Sequence, residues 1–179
     1  LPLEHRGLHV HWIGQAACVA ALPANDPACK QDVISLSSLS GRRFITMANP
    51  YRLRGRLDQA LLQQNTKTEG IIETNSTLNA LSAVRAGLGV AVVEPITAYG
   101  ALLPGVAIRP LDIDIPFLFG VVTPQSKLVP AVAKRLIDAL AHVAGELLPG
   151  FILHDATAHA ALLNSVYGKN AHVPDNTAP

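Results

Sequence analysis

The chain has 179 residues, 49% of them apolar, enough to bury one good core or one domain and part of another. Its 14 lysines and arginines against 13 aspartates and glutamates leave it close to neutral, which excludes the basic field that dominates binding to a phosphate backbone. No apolar run reaches the length of about 18 residues that a membrane helix needs, and Glu4, His5 and Arg6 deny the N-terminus a signal-peptide core. The expected compartment is the cytoplasm.

In chain order, the apolar patterning predicts strands near 8–13 and 17–22, then a strand near 43–47 and a helix near 52–64. A strand near 70–74, a helix near 76–87 and a strand near 89–93 follow, with a helix near 95–102 and strands near 106–110 and 117–123. The last long helix is expected near 128–147. Strands that alternate with helices are the mark of helices covering a mostly parallel sheet, so the fold class is three-layer α/β. Cys18, on a strand, and Cys29, in a loop, form no Cys-x-x-Cys pair and read as free thiols. Beyond Pro149 and Gly150 the pattern breaks down. A short helix is possible near 155–166, and the last ten residues are expected to be mobile because little in them can be buried.

The densest signal is Glu73-Thr-Asn-Ser-Thr-Leu-Asn-Ala-Leu-Ser-Ala-Val-Arg-Ala-Gly-Leu-Gly-Val-Ala-Val-Val-Glu-Pro95. Ser76 or Thr77 can cap a helix in which Leu78, Leu81 and Val84 recur at helical spacing. Gly87 and Gly89 end it, and Val90 to Val93 suit a strand buried on both faces. This stretch resembles the effector-binding domain of LysR-type transcriptional regulators, whose pattern is a strand, a Ser or Thr, an apolar helix ending Val-Arg-Ala-Gly-Leu-Gly-Val, and a strand closed by Pro. Cys18-Val-Ala-Ala-Leu-Pro23 with Asn25-Asp-Pro27, Ser35-Leu-Ser-Ser-Leu-Ser-Gly-Arg-Arg-Phe-Ile45, Val106-Ala-Ile-Arg-Pro-Leu111 and Phe117-Leu-Phe-Gly-Val-Val-Thr-Pro124 extend the likeness over about residues 8–150.

The resemblance implies a type 2 periplasmic-binding-protein-like αβα fold, with one complete effector-binding subdomain and hinge over residues 1–112. Residues 113–150 would supply the last strand and helix of the other subdomain, and 151–179 a partly disordered tail. Phe117, Phe119, Val121 and Val122 would then lack their usual ladder partners, which predicts self-association and a homo-oligomer. The chain opens on Leu1 and holds no winged helix-turn-helix, so it reads as a fragment whose DNA contact would come only through an absent N-terminal domain. Its hinge sequence, Pro110-Leu-Asp-Ile-Asp-Ile-Pro-Phe117, suggests the amino-acid and opine-responsive branch, with Asp112 and Asp114 on one face of the crossover and Pro116 fixing its direction.

In such folds the ligand lies in a cleft between two subdomains at the carboxyl ends of strands, where backbone N–H groups and helix N-termini favour a carboxylate. Two loops match. Thr46, Met47, Asn49, Tyr51 and Arg52 form the first, with Thr46 and Asn49 on the acid group and Tyr51 or Arg52 closing over it; an ordinary Asn-Pro turn is the plain alternative. Thr74, Asn75 and Ser76 form the second, where helix capping is expected with or without ligand contact. The expected partner is a small carboxylate or amino-acid-like effector, with no cofactor and no membrane.

Other chemistry is sparse. His9 and His11 share a strand face, but no third metal ligand stands at a recognisable spacing, and His142, His154, His159 and His172 are scattered. Gly87-Leu-Gly89 ends a helix rather than opening one, so it cannot cradle a phosphate. Glu73, Glu94, Asp112 and Asp114 are spread along strand ends, and no nucleophile, base and orienting group converge, so an enzyme is not expected. A solute-binding receptor of a transport system, which shares the fold, is the alternative reading.

Overall fold

Alternate residues of the central strands enter two different cores, because successive side chains of a strand point to opposite faces. In the computed structural model, which describes residues 7–49, 53–158 and 161–162, strands β2 (Val19–Pro23), β3 (Arg42–Met47), β4 (Thr68–Thr74), β5 (Val90–Val93) and β6 (Val106–Pro110) form a five-stranded sheet ordered β4-β3-β5-β2-β6. Cys18, Ala20, Leu22, Phe44, Val90 and Val92 fill one core with Leu57, Ala60 and Leu61 of helix α1 (Gly55–Gln63) and with Ile34, Leu36 and Leu39 from the loop before β3. Val19, Ala21, Ile45, Ala91 and Val93 fill the other with α2 (Thr77–Arg85) and α3 (Pro95–Ala101). All four residues of β5 are buried, as a strand covered on both faces requires. Each buried Leu, Val or Phe contributes about 1.5–3 kcal/mol.

The sheet is mixed rather than mostly parallel. β3 runs parallel to β4 and β5, while β2 runs antiparallel to β5 and β6. Helices connect β3 to β4, β4 to β5 and β5 to β6, which keeps those strands in one direction, whereas β2 follows β1 (Leu8–Ala17) with no crossover helix between them. One edge of the sheet therefore collects the carboxyl ends of β3, β4, β5 and β6 together with the amino end of β2.

The chain folds into two compact units. The five-stranded sheet belongs to the unit made of Ala16–Phe117 and Glu146–Phe151. The other unit holds the described residues before Ala16, Leu118–Gly145 and those from Ile152 onward. There β7 (Pro116–Pro124), β1 and β8 (Ile152–His154) make a three-stranded sheet in the order β7-β1-β8, joined by α4 (Ala131–Leu147). The indole N–H of Trp12 donates to the carbonyl of Ile137 at 3.1 Å, tying β1 to α4, and its ring meets Phe119 edge to face at 5.9 Å.

Some details differ from the sequence reading. Phe117 to Val122 do have a ladder partner, since β7 pairs with β1 and is an edge strand. The strand β8 falls where the patterning predicts none: Ile13 faces His154 and Gln15 faces Ile152. A short 3-10 turn, Ala156–Ala158, stands where the sequence allows a longer helix, and the remainder of that stretch lies largely outside the described residues. On α2 it is Thr77, Ala80, Leu81 and Val84 that face the core, while Leu78 is half exposed, because the stripe follows the 3.6-residue turn from Leu81 rather than from Leu78.

Candidate functional site

Thr46 is the last fully buried residue of β3, 2% exposed, and its hydroxyl finds no hydrogen-bond partner among the described residues. An orphaned buried hydroxyl costs about 1–3 kcal/mol, so the position calls for an explanation. Thr66, before β4 at the opposite edge of the sheet, is orphaned in the same way, so the feature alone does not mark a site. The surroundings of Thr46 are what distinguish it.

In the parallel ladder Thr46 pairs with Glu73 and Met47 with Thr74. Paired residues share a face, so Thr46 and Glu73 lie on the α1 side of the sheet. Met47 packs against the core on the α2 side. Arg54, at the N-cap of α1, donates from Nη1 to Glu73 Oε1 at 2.9 Å and from Nε to both carboxylate oxygens of Asp58 at 2.8 and 2.9 Å. The Arg54 side chain is 14% exposed; burial works against its charge, but the bonds to Glu73 and Asp58 prevail and push its pKa up. One guanidinium thus bridges two carboxylates beside the Thr46–Glu73 pair of the ladder.

The second loop is built for capping. Thr74 Oγ1 donates to the carbonyl of Ser76 at 2.8 Å and accepts its N–H at 3.3 Å, a local turn that sets the chain for α2. The hydroxyl of Ser76 accepts the N–H of Asn79 at 3.3 Å, which makes Ser76, not Thr77, the N-cap. Asn79 also donates from its side chain to Asn75 Oδ1 at 3.1 Å. The N–H of Ala48 donates to the carbonyl of Thr74 at 2.8 Å, so the two loops are bonded to each other. Thr46, Met47, Asn49, Thr74, Asn75 and Ser76 thus gather at one sheet edge, with Asn49 and Asn75 exposed. Tyr51 and Arg52 lie outside the described residues.

Two groups missing from the sequence reading of the site are Arg54 and Glu73. The spacing of Arg54 and Asp58, one helical turn apart, was the available signal, but it does not say that Glu73 completes the cluster. At the same edge Glu94 caps α3 by accepting the N–H of Thr97 at 3.1 and 3.3 Å. Buried Cys18 stands there too, its thiol pKa pushed up to about 12 because burial outweighs the opposing charge of Arg56.

The hinge candidates flank the point where the chain leaves this unit after Phe117. Asp112 and Asp114 are exposed, Ile113 is partly buried against the α1-side core and Ile115 fully buried in it. The carboxylate of Asp112 accepts the N–H of Leu36 at 3.0 Å. The carbonyl of Ile115 accepts the N–H of Cys18 at 2.9 Å, and the carbonyl of Pro116 accepts from Arg56. Among the described residues no group of three His, Cys, Asp or Glu could hold a metal, and no helix is long and apolar enough to cross a membrane.

Helices on both faces of a mixed sheet, with capped helix starts and polar loops at one strand edge, define a layered α/β domain. The chain belongs to the LysR family: the model of the LysR substrate binding domain matches residues 1–145. It is 30% identical over 122 residues to the transcriptional activator protein LysR of Escherichia coli K12, covering 66% of this chain and 39% of that protein. It is 27% identical over 141 residues to the regulatory protein NocR of Agrobacterium tumefaciens T37, covering 76% of this chain and 47% of NocR. The chain thus spans less than half the length of these curated relatives. In fold it is similar to the regulatory domain of Synechocystis PCC6803 CcmR in complex with 2-PG, with a TM-score of 0.61, 17% identity, and coverage of 80% of this chain and 70% of that one. The effector-binding domain of BenM with its effector benzoate has a TM-score of 0.58 and 15% identity, covering 82% of this chain and 67% of that one. The chain is thus a LysR substrate-binding domain, and the curated relatives it matches are a transcriptional activator and a regulatory protein.

Proposed function

We propose that this domain senses a small carboxylate of amino-acid type at the edge formed by Thr46–Asn49 and Thr74–Ser76, and that in the whole regulator the bound effector controls DNA binding by a helix-turn-helix domain. The observation that carries the reading is the Thr46 hydroxyl, buried, without a hydrogen-bond partner among the described residues, and on a residue in register with Glu73. A ligand carboxylate would take the hydroxyl and the partial positive charge at the start of α2. An ammonium group would be met by the carboxylates of Glu73 and Asp58, both more than one-third exposed beside Arg54. The benzoate in the BenM domain is a carboxylate effector on the same fold, which supports the first half.

Effector binding would act by favouring one of two pre-existing conformations, to the extent of its differential affinity for them, with Asp112, Asp114 and Pro116 at the turning segment. The cytoplasm and a homo-oligomer, joined through the open edge of β7, complete the reading. The test is the effector response of the intact regulator on a reporter promoter, compared for the unmodified protein, Thr46→Val and Ser76→Ala. Weakened response in variants that still melt cooperatively, with no more than the loss of about 1 kcal/mol that removal of the Ser76 cap brings, supports the site. Normal response in both variants overturns it.

A further inference from the structure

The unit that contains the three-stranded sheet has a cavity of its own, about 520 Å³, open to solvent. Its polar lining is His9 and His11 from β1, Thr123 from the end of β7, Gln125 and Lys127 from the following turn, and Lys134 and Asp138 from the first turns of α4. None of these groups belongs to the effector site proposed above. β1 and β7 place the two histidines and Thr123 on one face; the rings of His9 and His11 meet edge to face at 4.6 Å, and His11 Nε2 lies 2.9 Å from Thr123 Oγ1. The bond from Trp12 to Ile137 fixes the turn of α4 that carries Lys134 and Asp138 against β1.

The charges are unbalanced. Two lysines and two imidazoles face a single carboxylate, and the cavity borders the N-terminal end of α4, where the backbone carries partial positive charge. We infer that this cavity is a second binding site, for a small doubly charged oxyanion held by His11, Lys134 and Lys127. Phosphate and dicarboxylate dianions share that chemistry. Burial lowers the His11 pKa, repulsion from His9 and Lys134 lowers it further, and Asp138 opposes the shift. Near neutral pH His11 is therefore mostly uncharged in the free protein, and a bound dianion would draw a proton onto it. The sign follows: affinity rises as pH falls through the range in which His11 titrates.

The experiment uses the 179-residue chain and sulfate, which stays doubly charged over the whole range, with imidazole NMR and calorimetry at pH 5.5 and 7.5. The expected result is saturable binding that raises the His11 pKa and is about tenfold tighter at pH 5.5, with Lys134→Gln and His11→Gln each weakening it by about five- to tenfold. Thr46→Val should leave it unchanged, which separates this site from the effector site. At pH 7, displacement of sulfate by both phosphate and malonate supports a site for either dianion, and displacement by one alone supports a site for that class. Sulfate that leaves the His9 and His11 resonances unmoved, or that binds Lys134→Gln and His11→Gln as tightly as the unmodified chain, overturns the inference.

Discussion

Asp112 accepts the backbone N–H of Leu36 at 3.0 Å, joining two residues 76 positions apart in the sequence at the start of the segment that leads out of the five-stranded unit. The hydroxyl of Ser35 and that N–H both favour the ionised carboxylate, so its pKa is lowered. A group with a depressed folded-state pKa contributes stability that is present above its unfolded value, about 3.9 for Asp, and is lost as pH falls through the folded value. Asp112→Asn should therefore cost about 1 kcal/mol at pH 7, the modest figure reflecting an exposed side chain. Urea unfolding at pH 7 and pH 3 checks this, and the difference between the two proteins should shrink at the lower pH.

Gly89 is needed for space and Gly87 for conformation. A Cβ on Gly89 would collide with the carbonyl of Arg43, whereas Gly87 has a φ of +74° and open space around it. Gly87→Ala should cost about 1 kcal/mol through the left-handed backbone alone. Gly89→Ala must push β3 and β5 apart and should cost at least about 2 kcal/mol. Thermal melts of the two variants side by side would expose the order, and equal losses would contradict it.

Thr46 and Ser76 should part company in stability measurements made without effector. Ser76→Ala removes a helix cap and should lower stability by about 1 kcal/mol. Thr46→Val exchanges an unpartnered buried hydroxyl for a methyl of similar size and should be neutral or stabilising by up to about 1 kcal/mol. A protein that tolerates Thr46→Val in folding but loses effector response has kept that hydroxyl for binding. Marked destabilisation by Thr46→Val would instead assign it a structural bond.

The two thiols should react at different rates. Cys18 is 1% exposed and its pKa is pushed up to about 12, so little thiolate forms and little reagent reaches it. Cys29 is partly exposed, its thiol also raised by burial and by Asp26, with Sγ donating to the carbonyl of Pro23 at 3.4 Å. A chromogenic disulfide reagent at pH 8 should titrate Cys29 slowly and Cys18 only after denaturant is added. Two equal fast phases in the native protein would contradict this placement.

The order of the main elements was legible in the sequence, though β1 runs on to Ala17 and α4 starts only at Ala131, because periodic apolar residues, the Ser76 cap and the break at Gly87 are local signals. So was the family, through the run from Glu73 to Pro95. Local signals do not say which strand lies beside which. The antiparallel insertion of β2 between β5 and β6, the pairing of β8 with β1, and the meeting of Arg54 with Glu73 across 19 positions depend on chain segments brought together by burial of the two cores. The same holds for Thr46: its sequence shows a polar residue at a strand end, and only packing reveals that its hydroxyl is shut away from water with no partner among the described residues. Local chemistry determined the elements, since caps, turns and periodicity act within a few residues. Tertiary structure decided the sites, since burial and charge at a side chain are set by neighbours distant in sequence.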